Sequence, residues 1–299
     1  MELRVLKYFL TVAREGSITG AANSLHLTQP TLSRQLQELE KELGQKLLVR
    51  GKYRVTLTQE GLMLRKRAEE IVDMVEKTEA EFSALKDRIG GDIYIGCGET
   101  DSMRYIAQIM RDIQLKYSDI KFHIHSGNAE DVTEKLDKGL IDFGILIQPI
   151  DLSKYDYITM PAKDTWGVIM RKDSPLAQKA VIKMEDLLNI PIIASRQMSR
   201  KYSAASGFLD WFGENFDNLN ITATYNLVYN AAIMVEEGIG YAVTLDKLVN
   251  TTGQTNVCFR PLSPKLESGL DIVWKKHQVF SPAAEIFLTE LKERFAQNN

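Results

Sequence analysis

The chain has 299 residues, 44% hydrophobic and 26% charged, a globular composition with apolar material for more than one core. No run approaches the ~20 consecutive apolar residues of a membrane-spanning helix, and the start, MELRVLKYFLTVAREGS, lacks the basic start, long apolar run and cleavage site of a signal peptide, so a cytoplasmic location is expected. The net charge of −3 hides an asymmetry: residues 1–67 carry twelve Lys/Arg against six Asp/Glu, or +6, and the remainder carries 25 against 34, or −9. A basic N-terminal fifth points to an anionic partner, although a merely solvated charged face has the same composition.

Leu3, Leu6, Leu10 and Ala13 recur at helical spacing and are followed by the breaker Glu15-Gly16-Ser17. Ser17 suits the cap of a second helix, with Ile18, Ala21, Ala22 and Leu25 on one face. Thr28 then suits the cap of a third, whose Leu32, Leu36, Leu39 and Leu43 form a stripe that Gly44 ends. Pro30 lies in the first turn of that helix, where a backbone N–H has no intrahelical partner to lose. Pro30, Ser33, Arg34 and Gln37 lie opposite the stripe, flanked by Gln29 and Thr31. Two helices joined by a tight turn, the second led by polar residues, make a helix-turn-helix pattern; any compact helical hairpin has the same spacing.

The segment LLVRGKYRVTLT reads as a hairpin with Arg50, Lys52 and Arg54 on or near its tip, a wing whose cations suit phosphates or a minor groove. Thr58 suits the cap of a long helix. In it Leu64, Ala68, Ile71, Val75, Thr78, Phe82 and Leu85 alternate spacings of four and three, a heptad seam that calls for a partner helix, either that of a second subunit or one in the same chain.

Gly90-Gly91 reads as a hinge, and beyond it strands alternate with helices. DIYIGCG, IKFHIHSG and IDFGILI are strands, with SMRYIAQIMRDIQLKY and NAEDVTEKLDKG as helices between them. TWGVIMRKDSPLA begins a second series, in which IPIIASRQ, ITATYNL and GIGYAVT are strand candidates and SAASGFLDWFGEN and NAAIMVEEG helix candidates. LDIVWKK and SPAAEIFLTELKERF give a late strand and a final helix. This is α/β architecture in two lobes, with ligands expected at strand C-termini and helix N-termini.

Cys97 and Cys258 form no CxxC and no cysteine–histidine cluster, so neither a disulfide framework nor a zinc site is expected. His123 and His125 share one face of a strand and are read as partly exposed strand histidines, with a ligand pair as the alternative. GCGETD has Gly96 and Gly98 but Asp101 where a dinucleotide loop needs its third glycine, which leaves little signal for an enzyme.

GSITGAANSLHLTQPTLSRQLQELEKELGQKLLVR followed by TLTQEG, and more loosely DIYIG, Ser126-Gly127, GLIDFGIL, SPLA, EEGIGYAV and DIVWKK, resemble the LysR-type transcriptional regulators along the whole chain. The resemblance implies a winged helix-turn-helix over 1–58, a dimerising coiled-coil linker helix over 59–89, and a two-lobed periplasmic-binding-protein-like effector domain over 90–299, its lobes 90–161 with 266–299, and 162–265. It implies a sequence-specific regulator that is not an enzyme, binds promoter DNA as a homodimer or a homotetramer of dimers, has RNA polymerase as a further candidate partner, and needs no cofactor. The alternative is a small-ligand-binding protein or enzyme with an accessory helix-turn-helix.

By the same resemblance Gln29, Pro30, Thr31, Ser33 and Arg34 face DNA and Arg54 lies in the wing. Arg suits guanine O6/N7 and Gln suits adenine N6/N7, whereas Thr28, Thr31 and Ser33 suit phosphates. Gly20 departs from the basic or larger polar residue of many relatives, so the resemblance does not carry over one phosphate contact of the second helix. The effector is expected in the cleft, by default a small carboxylate, at Thr100 and Ser102, then Asn128, then Met198 to Ser203, then Tyr229-Asn230. Glu99 and Asp101 flank the first of these positions; either one turned inward favours a cationic or neutral ligand. Capping explains Thr100, Ser102 and Asn128 equally well.

Overall fold

The three N-terminal stripes meet in one core. The computed structural model describes residues 1–51, 54–84, 90–196 and 211–295, and divides into two compact units, Met1–Ser83 and Ala84–Asn299. In the first, α1 (Leu3–Glu15), α2 (Ile18–Ser24) and α3 (Gln29–Leu43) bury Phe9, Val12, Ala21, Leu32, Leu36 and Leu39 together. Ser17 caps α2 by accepting the Gly20 N–H at 3.1 Å, and Thr28 caps α3 by accepting the Thr31 N–H at 3.4 Å. Gly44, at φ 66°, ends α3 in the left-handed conformation that glycine tolerates best.

Leu43 is 39% exposed, so the buried stripe of α3 ends differently from the leucine spacing. Glu40, one turn after Leu36, takes the inner position at 5% exposure. Its Oε1 accepts the backbone N–H groups of Leu47 and Leu48 at 2.9 and 3.2 Å, and its Oε2 accepts Lys46 Nζ at 3.1 Å. A carboxylate in the helix stripe thus ties α3 to the strand that follows. Burial by itself raises its pKa, but the bonds from Leu47, Lys46 and Leu48 outweigh burial and hold it below the usual glutamate value.

β1 (Leu48–Arg50) and β2 (Val55–Leu57) pair antiparallel, and Gly51 N–H reaches the Arg54 carbonyl at 2.9 Å to close the hairpin. The Thr58 hydroxyl accepts the Gly61 N–H at 2.9 Å and starts α4 (Gln59–Ala84). Leu64, Ala68 and Val72 of α4 pack on Leu3, Leu6 and Leu10 of α1, and Glu76 pairs with Lys7 at 2.7 Å. Part of the heptad seam is therefore used within the chain, with Val72 added to it. Ile71 and Phe82 remain 38% and 67% exposed, and Leu85 lies outside the described residues.

In the second unit, β3 (Gly91–Cys97) lies between β4 (Ile120–Ser126) and β5 (Phe143–Ile147), parallel to both. β11 (Glu267–Lys275) runs antiparallel to β5 and to β6 (Tyr155–Arg171). The first lobe packs α5 (Met103–Lys116) and α9 (Pro282–Phe295) on one face through Ile106, Ile109, Ile113, Phe287 and Leu291, and α6 (Ala129–Asp137) on the other through Val132 and Leu136. The second lobe has β7 (Ile192–Ser195) between parallel β8 (Ile221–Tyr225) and β9 (Tyr241–Leu245), with β10 (Val257–Pro261) beside β6. A short α7 (Met184–Leu187) precedes β7, and α8 (Val228–Glu236) buries Val228, Ala231 and Val235 against Ile169, Ile193 and Ala242.

β6, 17 residues long, belongs to both lobes. It pairs with β11 from Tyr155 to Thr165, with β9 from Trp166 to Ile169, and with β10 from Gly167 to Arg171. The sheet is therefore mixed, and the lobes meet along a continuous strand. Three features differ from the strand reading of the sequence. β6 begins ten residues before TWGVIMR, β10 carries too little apolar alternation to stand out, and Gly213–Asn218 forms a 3₁₀ turn where a helix was expected to end. Most of that expected helix, SAASGFLDWFGEN, lies outside the described residues.

Candidate functional sites

The first site is the outer face of α3. Leu32, Leu36 and Leu39 fasten its inner side, which leaves Thr28, Gln29, Pro30, Thr31, Arg34 and Gln37 exposed along the outer one, with Ser33 half-buried at its edge. The Thr28 and Thr31 hydroxyls lie 2.8 Å apart. Arg34 Nε pairs with Glu38 at 3.0 Å, an exposed pair one turn apart that contributes only ~0.3–0.5 kcal/mol, so the guanidinium leaves it at little cost. In the hairpin, Arg54 is exposed and its side chain lies beside Gly16, while Val55 N–H binds the Gly16 carbonyl at 2.8 Å. The wing is thus tied to the end of α1. Lys52 lies outside the described residues, and only the backbone of Arg50 is described.

The second site is the cleft between the lobes, and there the loop after β3 departs from expectation. Thr100 and Ser102 are buried at 8% and 4% exposure and do not line the cavity. Both hydroxyls donate to Asp164 on β6, Thr100 to Oδ2 and Ser102 to Oδ1, the latter at 3.1 Å. The physical reason is that Asp164 is itself 4% exposed and needs donors. The residue this loop turns into the cavity is Glu99. Its carboxylate reaches across and accepts the Val228 N–H at the first turn of α8. The residue before α8, Leu227, makes no side-chain cap, so Glu99 of one lobe caps a helix of the other.

Asn128 does line the cavity. Its Oδ1 accepts the Asp131 N–H at 2.8 Å in a capping box at the start of α6, so it serves both roles weighed for it. Asn230 is exposed on α8 and outside the lining; Asn226, just before the helix, lines the cavity in its place. Ser203 lies outside the described residues. Ile147, Trp166, Leu245 and Leu248 supply the apolar walls, and Arg196, at the end of β7, adds a cation. The cavity is open to solvent, and with its mouth the space between these residues amounts to about 440 Å³.

Burial raises the Asp164 pKa, and Asp246 and Asp101 add to the effect against the lowering bonds from Thr100 and Ser102. A carboxyl whose folded pKa lies above its unfolded value contributes most when protonated, and loses stability as pH rises from the unfolded value through the folded one. Asp164→Ala leaves two buried hydroxyls without their acceptor and is expected to cost about 2–3 kcal/mol. Asp164→Asn keeps one acceptor and supplies one donor, and is expected to gain on wild type as pH rises above the unfolded aspartate value of ~3.9. Urea unfolding across that rise, followed by circular dichroism, checks both.

The other titratable groups have ordinary roles. Burial, reinforced by Glu99, raises the Cys97 thiol, and Cys258 is also buried. His123 stacks on Tyr94 with centroids 4.7 Å apart and meets Asp92 at 2.6 Å. Burial, with Lys135 nearby, lowers the His125 pKa. Among the described residues no three His, Cys, Asp or Glu side chains are grouped as a metal set, and no helix is long and apolar enough to cross a membrane.

A winged helix-turn-helix unit and a cleft-bearing two-lobed α/β unit on one chain are the architecture of a transcriptional regulator that carries its own effector domain. Residues 3–62 match the family of bacterial regulatory helix-turn-helix proteins of the LysR type, and residues 86–296 match the LysR substrate binding domain. The chain belongs to the LysR family and is a LysR-type transcriptional regulator. It is 28% identical over 299 residues to the HTH-type transcriptional regulator YvbU of Bacillus subtilis, and 29% identical over 300 residues to HcaR, the hca operon transcriptional activator of Escherichia coli, covering 99% of both chains in each case. Its fold matches that of CbnR, a LysR family regulator, with a TM-score of 0.76 at 19% identity over 99% of both chains. CbnR complexed with its target DNA matches at 0.73 and 18% identity, over 98% of this chain and 99% of that one.

Proposed function

We propose that this regulator reads double-stranded promoter DNA with α3 and the wing, and that a small molecule in the lobe cleft alters that reading. Gln29, Pro30, Thr31, Ser33 and Arg34 face the major groove, Thr28 holds a phosphate, and Arg50, Lys52 and Arg54 reach the flanking backbone. Two copies join through residues 59–89, and two dimers form a tetramer. The protein works in the cytoplasm, without a catalytic step, and acts on transcription through DNA and RNA polymerase. The observation that carries this reading is the exposed polar face of α3, fastened from behind by Leu32, Leu36 and Leu39. A ligand that binds one lobe arrangement better than the other shifts the protein toward it, and the dimers on the DNA follow.

Arg34 is the sharpest point of this reading. If it grips a base edge, Arg34→Ala costs about 1–3 kcal/mol on the preferred sequence and relaxes choice at that position. If it holds a phosphate, the loss is equal on all sequences and the salt slope falls by about one. Fluorescence anisotropy against salt, on preferred and scrambled duplexes, separates the two. Unchanged affinity on both duplexes removes α3 from the interface.

A further inference from the structure

The two lobes bring opposite charges to one cavity, neither paired with a side chain among the described residues. Glu99 enters from the first lobe, on the loop that Asp164 holds through Thr100 and Ser102. It accepts the Val228 N–H, and among the described residues no Lys or Arg side chain pairs with it. Arg196 enters from the second lobe at the end of β7 and lines the same cavity, and among the described residues no carboxylate pairs with it. Asn128 and Asn226 supply amides, Ser195 and Thr244 also lie in the lining, and Ile147, Trp166, Leu245 and Leu248 are its apolar members.

A ligand carrying one charge satisfies only one of these groups. A lone carboxylate on Arg196 lies in the repulsive field of Glu99, and a lone ammonium on Glu99 makes no use of the exposed guanidinium. A ligand with both charges compensates both. We infer that the effector is a small zwitterion of the amino-acid type, its ammonium on the second oxygen of Glu99 and its carboxylate on Arg196. This rests on the cleft being the effector site, as proposed above. Because the charges come from different lobes, such a ligand binds tightly only when both lobes engage it, which couples occupancy to lobe position.

The test uses the full-length protein in thermal-shift and calorimetric titrations. The probes are the standard α-amino acids, each beside the carboxylic acid lacking its amine and the amine lacking its carboxylate. At least one amino acid is expected to bind at least roughly tenfold more tightly than both of its single-charge counterparts. Glu99→Gln, whose amide oxygen still accepts the Val228 N–H, is expected to weaken the amino acid roughly 10- to 100-fold and to spare the carboxylic acid. Arg196→Gln is expected to weaken the amino acid and the carboxylic acid and to spare the amine.

A carboxylic acid bound as tightly as its amino acid, binding indifferent to both substitutions, or no binding from any of the three sets overturns the zwitterion. Asn226→Trp, which fills the cavity from an exposed position, separates this from failure of the cleft reading. A single-charge ligand abolished by Asn226→Trp leaves the cleft in place and removes only the zwitterion. A ligand that Asn226→Trp leaves untouched removes the cleft reading itself.

Discussion

Glu40→Ala is expected to destabilise the DNA-reading unit by about 2–4 kcal/mol, since it strips the buried Leu47 and Leu48 N–H groups of their acceptor. The Lys46 contact adds little, because that side chain is 79% exposed. Total stabilities of ~5–15 kcal/mol make this a large fraction. The pH sign follows from the lowered carboxyl pKa of Glu40. Its contribution is fully present above the unfolded glutamate value of ~4.3 and is lost as pH falls through the folded value. Wild type is therefore expected to lose stability in acid through this group, and Glu40→Ala to show a flatter acid limb. Urea unfolding of the full chain, with a probe in residues 1–58, reads both effects. A variant as stable as wild type at pH 7 contradicts them.

Phe82→Glu is expected to have the largest effect on assembly. α4 packs on α1 through Leu64, Ala68 and Val72, yet Ile71 and Phe82, about three turns apart on one side of the helix, remain exposed at 38% and 67%. Apolar side chains repeated along one helix mark a face that another helix covers. Glutamate at 82 brings two like charges to that seam, and dimer dissociation is expected to rise at least ~100-fold. DNA affinity falls with it, since separate half-site binding forfeits an avidity of ~10²–10⁴. Sedimentation velocity and anisotropy measure the two losses. A fully dimeric Phe82→Glu protein removes the seam as the dimer contact.

What the residues reveal by themselves is what short-range periodicity encodes. Thr28 as a cap, Pro30 in the first turn and the leucines at 32, 36 and 39 are legible because each depends on neighbours within one or two turns. Glu40 was open to the same reading: a carboxylate one turn after Leu36 falls on the buried face, and only burial with backbone donors tolerates it there. The cleft is less legible because its bonds join residues far apart in sequence. Thr100 and Ser102 look like cap residues at a ligand site until Asp164, more than sixty positions later, claims both hydroxyls. Glu99 was visible as a flanking charge, but that it caps α8 is disclosed only by the fold. The one local hint is Leu227, a residue that cannot supply the cap its helix needs. β6 escaped in its first half because the stretch from Tyr155 to Lys163 alternates burial irregularly while it crosses between lobes.

The outer face of α3 is proposed to read sequence as part of a symmetric dimer. Selection of bound duplexes from a random library by the wild-type protein tests it most directly. The predicted result is one enriched motif of two related half-sites about one or more helical turns apart, with Arg34→Ala degrading specific positions in both halves. Binding without an enriched motif, governed by salt alone and unchanged by Arg34→Ala, would contradict it.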